Sequence, residues 1–178
     1  VQPIRSYTEH CDAAKLRSEL GHGAADIAAI VPEIHDKIAD LKPPPALEPE
    51  AARFQLFDSI TTFFKNASRS QPLMLVLDDL HWADQSSLML LEFLARELSG
   101  SRLLVLGAYR DVELSRQHPL SHTLAQLSRE PVYRRQTLRG LEQQDTGPFV
   151  EAIAGVRLSQ EFAETINTHT EGNPFFLT

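Results

Sequence analysis

Two short segments near the middle of the chain are almost continuously apolar, and each has the length of a buried strand. The first is LMLVL, which begins at Leu73, and the second is LLVLGA, which begins at Leu103. Parallel strands that are covered on both faces have this pattern, because neither face needs polar side chains. The pattern predicts strands over residues 73–78 and 102–108, and a weaker strand over 132–138.

The segment between the first two strands has the spacing of an amphipathic helix. Asp84 can cap its first turn, and Gly100 can end it. Its inward-facing positions are leucines, namely Leu88, Leu91, Leu94 and Leu98. A strand, a helix and a second strand in this order form a right-handed crossover unit. The chain is therefore predicted to have an α/β fold with about three parallel strands flanked by helices.

Helices are also predicted before the first strand. Prolines and glycines divide the first fifty residues into helices over 4–20 and 24–40, and a stiff proline linker follows at 43–45. From Glu50 to Lys65 the apolar residues recur on one helical face. These features divide the chain into a helical segment and an α/β core, with predicted ranges 1–49 and 50–178.

Further helices are predicted after the second strand. One covers residues 119–129, and another covers 159–169. Between them, a short helix is expected to have Pro148 in its first turn and to end near Ala154. The chain stops at Thr178 in what reads as a new element, so we expect it to be a piece of a longer protein.

Composition narrows the possible functions. The chain has 178 residues, 42% of them hydrophobic, and a net charge of -7 without a long basic cluster, so direct nucleic-acid binding is not expected. No apolar run has the roughly 20 residues that a membrane span needs. The single cysteine, Cys11, fits a reducing compartment, which predicts a cytoplasmic protein.

The first strand leads directly into two carboxylates in the sequence LVLDDLHWAD. Asp78 and Asp79 lie at the carboxyl end of that strand, where ligands of parallel sheets bind. Successive strand residues point to opposite sides, so the two carboxylates are expected to have different tasks. One could hold hydrated Mg²⁺ and the other could orient or deprotonate a water. The alternative is that they are ordinary turn and capping aspartates.

Other polar side chains are expected near the same edge of the sheet. Arg110 follows the second strand and could contact a terminal phosphate, or it could form a salt bridge with Asp111 or with the two aspartates. In the turn itself, Trp82 is expected to wedge the turn onto the next helix. His81 is not expected to bind a metal, because one histidine near aspartates is no metal signature.

No phosphate-binding loop is present in these 178 residues. Such a loop needs glycines followed by a lysine and a hydroxyl residue, so that backbone amides and an ammonium surround the phosphates. No glycine precedes a lysine here, and the four lysines are Lys15, Lys37, Lys42 and Lys65. The cradle for the phosphates is therefore expected outside this chain.

The motifs DDLHWAD, LLVLGAYRD and EGNPFF together resemble the ATPase module of signal-transduction ATPases with numerous domains, which has an AAA-like P-loop fold. The chain is similar to the ATPase modules of large LuxR-type, MalT-like transcription regulators. It is also similar to the related ATPase modules that are attached to cyclases and kinases. The resemblance implies ATP and Mg²⁺ as cofactors. It implies that Asp78 is the Walker B aspartate that holds Mg²⁺, that Asp79 positions water, and that Arg110 is the sensor of the γ-phosphate.

The same resemblance assigns a role to the motif near the end of the chain. Gly172, Asn173 and Pro174 correspond to the Gly-x-Pro motif, whose proline packs near the adenine. The alternative is a simple turn that starts a helix. In related folds a further strand, which precedes the phosphate loop, lies inside the sheet. Without it the sheet is expected to have unpaired strand edges, which favour a homo-oligomer or a rearrangement.

Two classes of function remain open from the sequence. The first is an ATP-driven switch that binds ATP or ADP and controls the other domains of its parent protein, with this chain inactive alone. The second is a non-catalytic protein-interaction module that keeps the ATPase fold. A hydrolase built on Asp78 and Asp79 alone is a weaker third hypothesis, because no other metal-ligand cluster accompanies them.

Overall fold

The computed structural model describes residues 1–177, which form two compact units that divide between Tyr133 and Arg134. Helices make up most of the first unit. Its regular elements in chain order are α1 (Gln2–His10), α2 (Ala13–Leu20), α3 (Ala24–Ala28), α4 (Ile34–Lys37), α5 (Pro49–Ser70), β1 (Leu73–Leu77), α6 (Gln85–Glu97), β2 (Leu103–Gly107) and α7 (Pro119–Leu127). The predicted division into a helical segment (1–49) and an α/β core (50–178) concerns function rather than compactness, and it stays a prediction.

The helix predicted over 4–20 is interrupted in the structure. Asp12 has an extended backbone, and its carboxylate accepts a hydrogen bond of 2.9 Å from the backbone N–H of Lys15. An aspartate in this position caps a new helix, because it satisfies an N–H that has no partner within the helix. Within the segment predicted as helical over 24–40, the sequence places the start of a second helical piece at Pro32, and α3 and α4 lie on either side of that proline as predicted.

The two strands pair in parallel, and α6 connects them. Their register runs from Leu73 opposite Leu103 to Leu77 opposite Gly107. This confirms the predicted strand, helix and strand, although each strand is shorter than predicted. The carboxyl ends of both strands therefore lie at the same edge of the sheet, where the candidate residues follow.

The third predicted strand, over 132–138, is wrong. These residues form no strand in the part of the chain that the structure describes. Val132 and Leu138, the apolar residues at the two ends of the segment, are both exposed. Tyr133 is partly buried against the apolar cluster around Leu91, but with its end residues exposed the segment has no continuous apolar face that would hold it in a sheet.

The core of the first unit lies between the N-terminal helices, α5, α6 and one face of the sheet. Its centre is Phe63 on α5, which is fully buried and contacts the ring of Tyr7 edge-on at 5.5 Å between centroids. Leu75 and Leu103 are the strand residues that belong to this core. Close packing of these side chains stabilises the arrangement of α5 against the sheet.

The opposite face of the sheet differs from the prediction that both faces are buried. The side chains on that face are exposed, namely Met74, Val76, Leu104 and Leu106. Alternate residues of a strand point to opposite faces, so helices on one side bury only every second residue. The sequence pattern had predicted a cover on both faces, and residues 1–177 supply it on one.

The second unit contains α8 (Gln143–Ala154), α9 (Gln160–Thr170) and a 3-10 turn at Pro174–Leu177. Pro148 lies inside α8 and beyond its first turn, which corrects the predicted short helix. A proline there removes one backbone hydrogen bond. Separately, the side chain of Asn167 on α9 donates hydrogen bonds of 2.7 Å to the hydroxyl of Thr146 in α8 and 2.9 Å to the carbonyl of Leu141 just before α8.

Among residues 1–177, no helix combines the length and the apolar character that a membrane crossing requires.

Candidate functional site

The two aspartates follow β1 in a tight turn that is anchored to β2. Asp79 has a left-handed backbone with φ 52° and ψ 42°, and its N–H donates to a carboxylate oxygen of Asp78 at 3.0 Å. The N–H of Leu80 then donates to the carbonyl of Ala108 at 2.9 Å. Few non-glycine residues adopt this conformation, although aspartate tolerates it better than most. The turn thus presents the two carboxylates from different backbone conformations.

Gly107 allows this turn to lie close to the end of β2. A Cβ atom at residue 107 would lie 2.5 Å from the Cδ1 of Leu80, well inside van der Waals contact. The absence of a side chain therefore gives Leu80 room to pack there. As a result, the residues after β1 and the residues after β2 share one corner of the first unit.

Asp84 fixes the start of the helix that follows the turn. Its carboxylate accepts hydrogen bonds from the backbone N–H of Ser87 at 3.0 Å and from the Ser87 hydroxyl at 2.8 Å. These bonds favour the charged form and hold the pKa of the Asp84 carboxyl below its usual range. The predicted N-cap at Asp84 is confirmed.

The two aromatic residues of the turn have very different environments, and that of Trp82 contradicts its predicted role. Trp82 is 71% exposed and does not wedge the turn onto α6, whereas the side chain of His81 is 1% exposed. The two rings contact each other at 4.8 Å between centroids. The turn directs the imidazole of His81 inward and leaves the indole of Trp82 exposed, and residue type alone does not predict this orientation.

His81 lies between two carboxylates. Its Nε2 is 3.7 Å from a carboxylate oxygen of Asp79 and 3.3 Å from a carboxylate oxygen of Glu113. Neither ring nitrogen has a hydrogen-bond partner of good geometry within the described residues. Buried polar atoms of this kind are uncommon in native proteins and call for an explanation.

Arg110 forms an ion pair with Glu113, a partner that the sequence did not predict. Its Nη1 is 3.3 Å from the other carboxylate oxygen of Glu113, three residues further along the chain. Asp79, His81, Glu113 and Arg110 thus form a continuous row of charged and polar side chains. The row joins the turn after β1 to the turn after β2, and we call it the polar row.

A cleft of about 500 Å³ opens beside the aspartates. Asp78 and Asp79 lie in its wall, and most of the remaining lining is apolar, including Ile4, Phe64 and Leu90. Charges bordering such a surface interact more strongly than charges in open water. The cleft gives a ligand bound near the carboxylates a partly dry surface.

The residues at this corner fit a magnesium ion that arrives with phosphates. Residues 1–177 contain no cluster of three or more His, Cys, Asp or Glu side chains that could hold a metal by itself. Mg²⁺ in nucleotide sites commonly takes only one or two carboxylates and completes its shell with water and phosphate oxygens. Asp78 is exposed, and one of its oxygens already faces the Asp79 amide, so it can serve as such a ligand.

The motif Gly172, Asn173 and Pro174 lies in the second unit. Gly172 has φ 68°, and a Cβ there would lie 2.1 Å from the carbonyl oxygen of Leu141, so only glycine fits. The Asn173 side chain accepts a hydrogen bond of 3.1 Å from the N–H of Phe175. Locally this is the turn that starts a 3-10 helix, and its predicted adenine contact stays a prediction.

The sequence did not identify Glu113 as a residue of this site, and it did not predict that His81 is buried between two carboxylates. Glu113 lies three residues after Arg110, a spacing that brings two side chains together in a helical turn. That spacing could have indicated the Arg110 to Glu113 pair. No local pattern indicates that His81 is buried, because its burial depends on how the two turns meet.

Comparison with known proteins identifies the family. A family model described as an AAA ATPase domain matches residues 3–106, which is more than half of the chain and includes Asp78 and Asp79. No curated protein and no solved structure matches the chain. The chain belongs to the AAA ATPase domain family, whose members generally use ATP and Mg²⁺.

Proposed function

We propose that this chain is a nucleotide-binding ATPase module in which Asp78 is a ligand of Mg²⁺, Asp79 positions a water, and Arg110 binds the terminal phosphate. One observation carries the proposal. Adjacent carboxylates at the end of β1 are joined, through His81 and Glu113, to the arginine that follows β2. The family match over residues 3–106 supports the same activity.

The two aspartates differ in ways that suit these tasks. Asp78 is exposed and can give a carboxylate oxygen to a cation, whereas Asp79 is partly buried beside the imidazole of His81. A carboxylate that is held in one position is suited to orient a water for attack on phosphorus. Magnesium, when bound with the nucleotide, neutralises charge on the phosphates.

The phosphate cradle is proposed to come from outside these residues. No lysine in the sequence follows a glycine, so the chain lacks the Gly-Lys-Ser/Thr loop that surrounds phosphates in related ATPases. Positioning and charge stabilisation by that loop supply much of the catalysis. Residues 1–178 alone are therefore expected to hydrolyse ATP slowly or not at all.

The finer assignment concerns the whole protein. We propose that the module is the ATP-dependent switch of a cytoplasmic multidomain regulator of the LuxR type, in which nucleotide state controls the other domains and a homo-oligomer. Gly172, Asn173 and Pro174 are proposed to contact the adenine. The net charge of -7 argues against direct binding of nucleic acid by this chain.

Calorimetric titration of Mg-ATP tests the proposal. We would titrate the 178-residue chain, and a longer natural form that carries a Gly-Lys-Ser/Thr loop, each with Asp78→Asn and with Asp58→Asn as the control. Asp58 is an exposed aspartate on α5 outside the corner. At least tenfold weaker binding, about 1.4 kcal/mol, is expected for Asp78→Asn only. Equal affinities of Asp78→Asn and the unaltered protein would contradict the metal role.

A second candidate function is a protein-interaction module that keeps the fold without catalysis. The observation that favours it is the exposed apolar face of the sheet, whose side chains are Met74, Val76, Leu104 and Leu106. Contiguous apolar surface of this kind often marks a contact with another polypeptide. Absence of nucleotide binding by both forms of the protein would favour this function over the first.

A further inference from the structure

The polar row contains a buried histidine to which the proposed function assigns no contact with nucleotide, metal or water. His81 is buried against the ring of Trp82, and neither of its ring nitrogens has a hydrogen-bond partner among residues 1–177. Leaving a buried polar group unsatisfied is destabilising, because the group loses its hydrogen bonds to water and gains none in return. A histidine that only filled space would therefore be less favourable here than an apolar ring of similar size.

The geometry around Nε2 explains why histidine is present. This nitrogen carries at most one hydrogen, so it can donate to only one acceptor at a time. Two carboxylates compete for it, Glu113 at 3.3 Å and Asp79 at 3.7 Å. Any shift of the imidazole towards one carboxylate weakens its contact with the other.

Glu113 extends this competition to Arg110. One of its carboxylate oxygens faces His81, and the other faces the guanidinium of Arg110 at 3.3 Å. A carboxylate is rigid, so a rotation that follows the imidazole also moves the oxygen that holds Arg110. A change in the contacts of Asp79 is therefore expected to change the orientation of Arg110.

We propose that His81 is a positioning residue that couples Asp79 to Arg110 through Glu113. In the arrangement seen here, Glu113 lies beside both the imidazole and the guanidinium. When a ligand beside Asp79 draws His81 towards that carboxylate, Glu113 loses one of its two partners and Arg110 reorients. The inference rests on the proposed function for the identity of that ligand, but the coupling itself is a property of the chain without nucleotide.

The coupling can be measured by NMR on the nucleotide-free protein. The probe is the side-chain carboxyl carbon of Asp79, recorded in the unaltered chain, in Glu113→Gln, in His81→Phe and in the double variant. If His81 relays the effect, Glu113→Gln shifts the Asp79 signal in the unaltered background, and this shift disappears in the His81→Phe background. Glu97→Gln removes a carboxylate from another surface pair, with Lys65 at 3.1 Å, and should leave the Asp79 signal unchanged.

A conservative variant separates coupling from packing. The amide nitrogen of His81→Gln can occupy a position close to that of Nε2, so it should restore the response of Asp79 to Glu113→Gln that His81→Phe removes. A histidine that merely packs would lower the free energy of unfolding when replaced, without making the Asp79 signal depend on Glu113. An Asp79 signal that responds to Glu113→Gln equally in all backgrounds, or in none, would overturn the inference.

Addition of Mg-ATP to the same samples then tests the proposed function separately. Failure of nucleotide to bind would contradict the ATPase assignment and leave the measured coupling intact. Binding without any dependence of the Asp79 signal on His81 would support the ATPase assignment and refute the relay.

Discussion

The left-handed backbone of Asp79 allows a sharp test of the turn that presents the carboxylates. Asp79→Gly and Asp79→Ala remove the same carboxylate and the same contact with His81, so the difference between them reports on the backbone. A left-handed conformation costs alanine about 1–2 kcal/mol relative to glycine. Glycine loses about 0.5–1 kcal/mol of this advantage through its greater freedom in the unfolded chain. Asp79→Gly should therefore be more stable than Asp79→Ala by about 0.5–1 kcal/mol.

The same two substitutions at Arg53 on α5 serve as a control, and there the difference in the free energy of unfolding should have the opposite sign. Arg53 is exposed in the interior of that helix, where glycine is less stable than alanine by about 1 kcal/mol. Urea unfolding can be followed by the fluorescence of Trp82, the single tryptophan, which lies three residues from Asp79. A difference of 1 kcal/mol moves the midpoint by about 0.5 M. If alanine is the more stable residue at both positions, the left-handed turn described here is wrong.

Two further predictions concern packing and pH. Phe63→Ala should lower the free energy of unfolding by about 3–5 kcal/mol, because Phe63 is fully buried. Phe54 lies on the same helix but is 62% exposed, so Phe54→Ala should lower it by only about 1 kcal/mol. Similar losses for the two variants in urea unfolding would refute this arrangement of the core. Hydrogen bonds from Ser87 lower the pKa of Asp84 in the folded state. The folded state therefore gains stability from these bonds at any pH above the ordinary aspartate pKa, and it loses this stability as the pH falls through the lowered pKa. Ser87→Ala removes the hydroxyl bond and should flatten this dependence in acid titrations of thermal stability; an unchanged profile would contradict the assignment.

Local sequence patterns predicted the elements that local physics controls. The apolar runs at 73–78 and 102–108 became parallel strands, and the aspartate at the start of α6 became its N-cap. These features depend on side-chain burial and on hydrogen bonds within a few residues, so they can be inferred without knowledge of the rest of the fold. The same holds for the position of Asp78 and Asp79 at the carboxyl end of β1.

The predictions that failed depended on what covers each element. The segment 132–138 has apolar residues at both ends, yet it forms no strand, because the side chains of Val132 and Leu138 are exposed rather than packed against a sheet. Pro148 was expected in the first turn of a helix but lies beyond it in α8, whose first half is tied to α9 by the hydrogen bond from Asn167 to Thr146. A residue's neighbours in space decide these outcomes, and the sequence pattern does not name them.

The sequence by itself determined the strand, helix and strand of the first unit, the adjacent carboxylates after β1, and the motifs that resemble an AAA-like ATPase. Only the tertiary structure decided that His81 is buried while Trp82 is exposed, and that Glu113 lies between His81 and Arg110. The physical reason is that periodicity and capping act over a few residues, whereas the polar row requires two turns, about thirty residues apart in sequence, to meet where parallel strands end side by side.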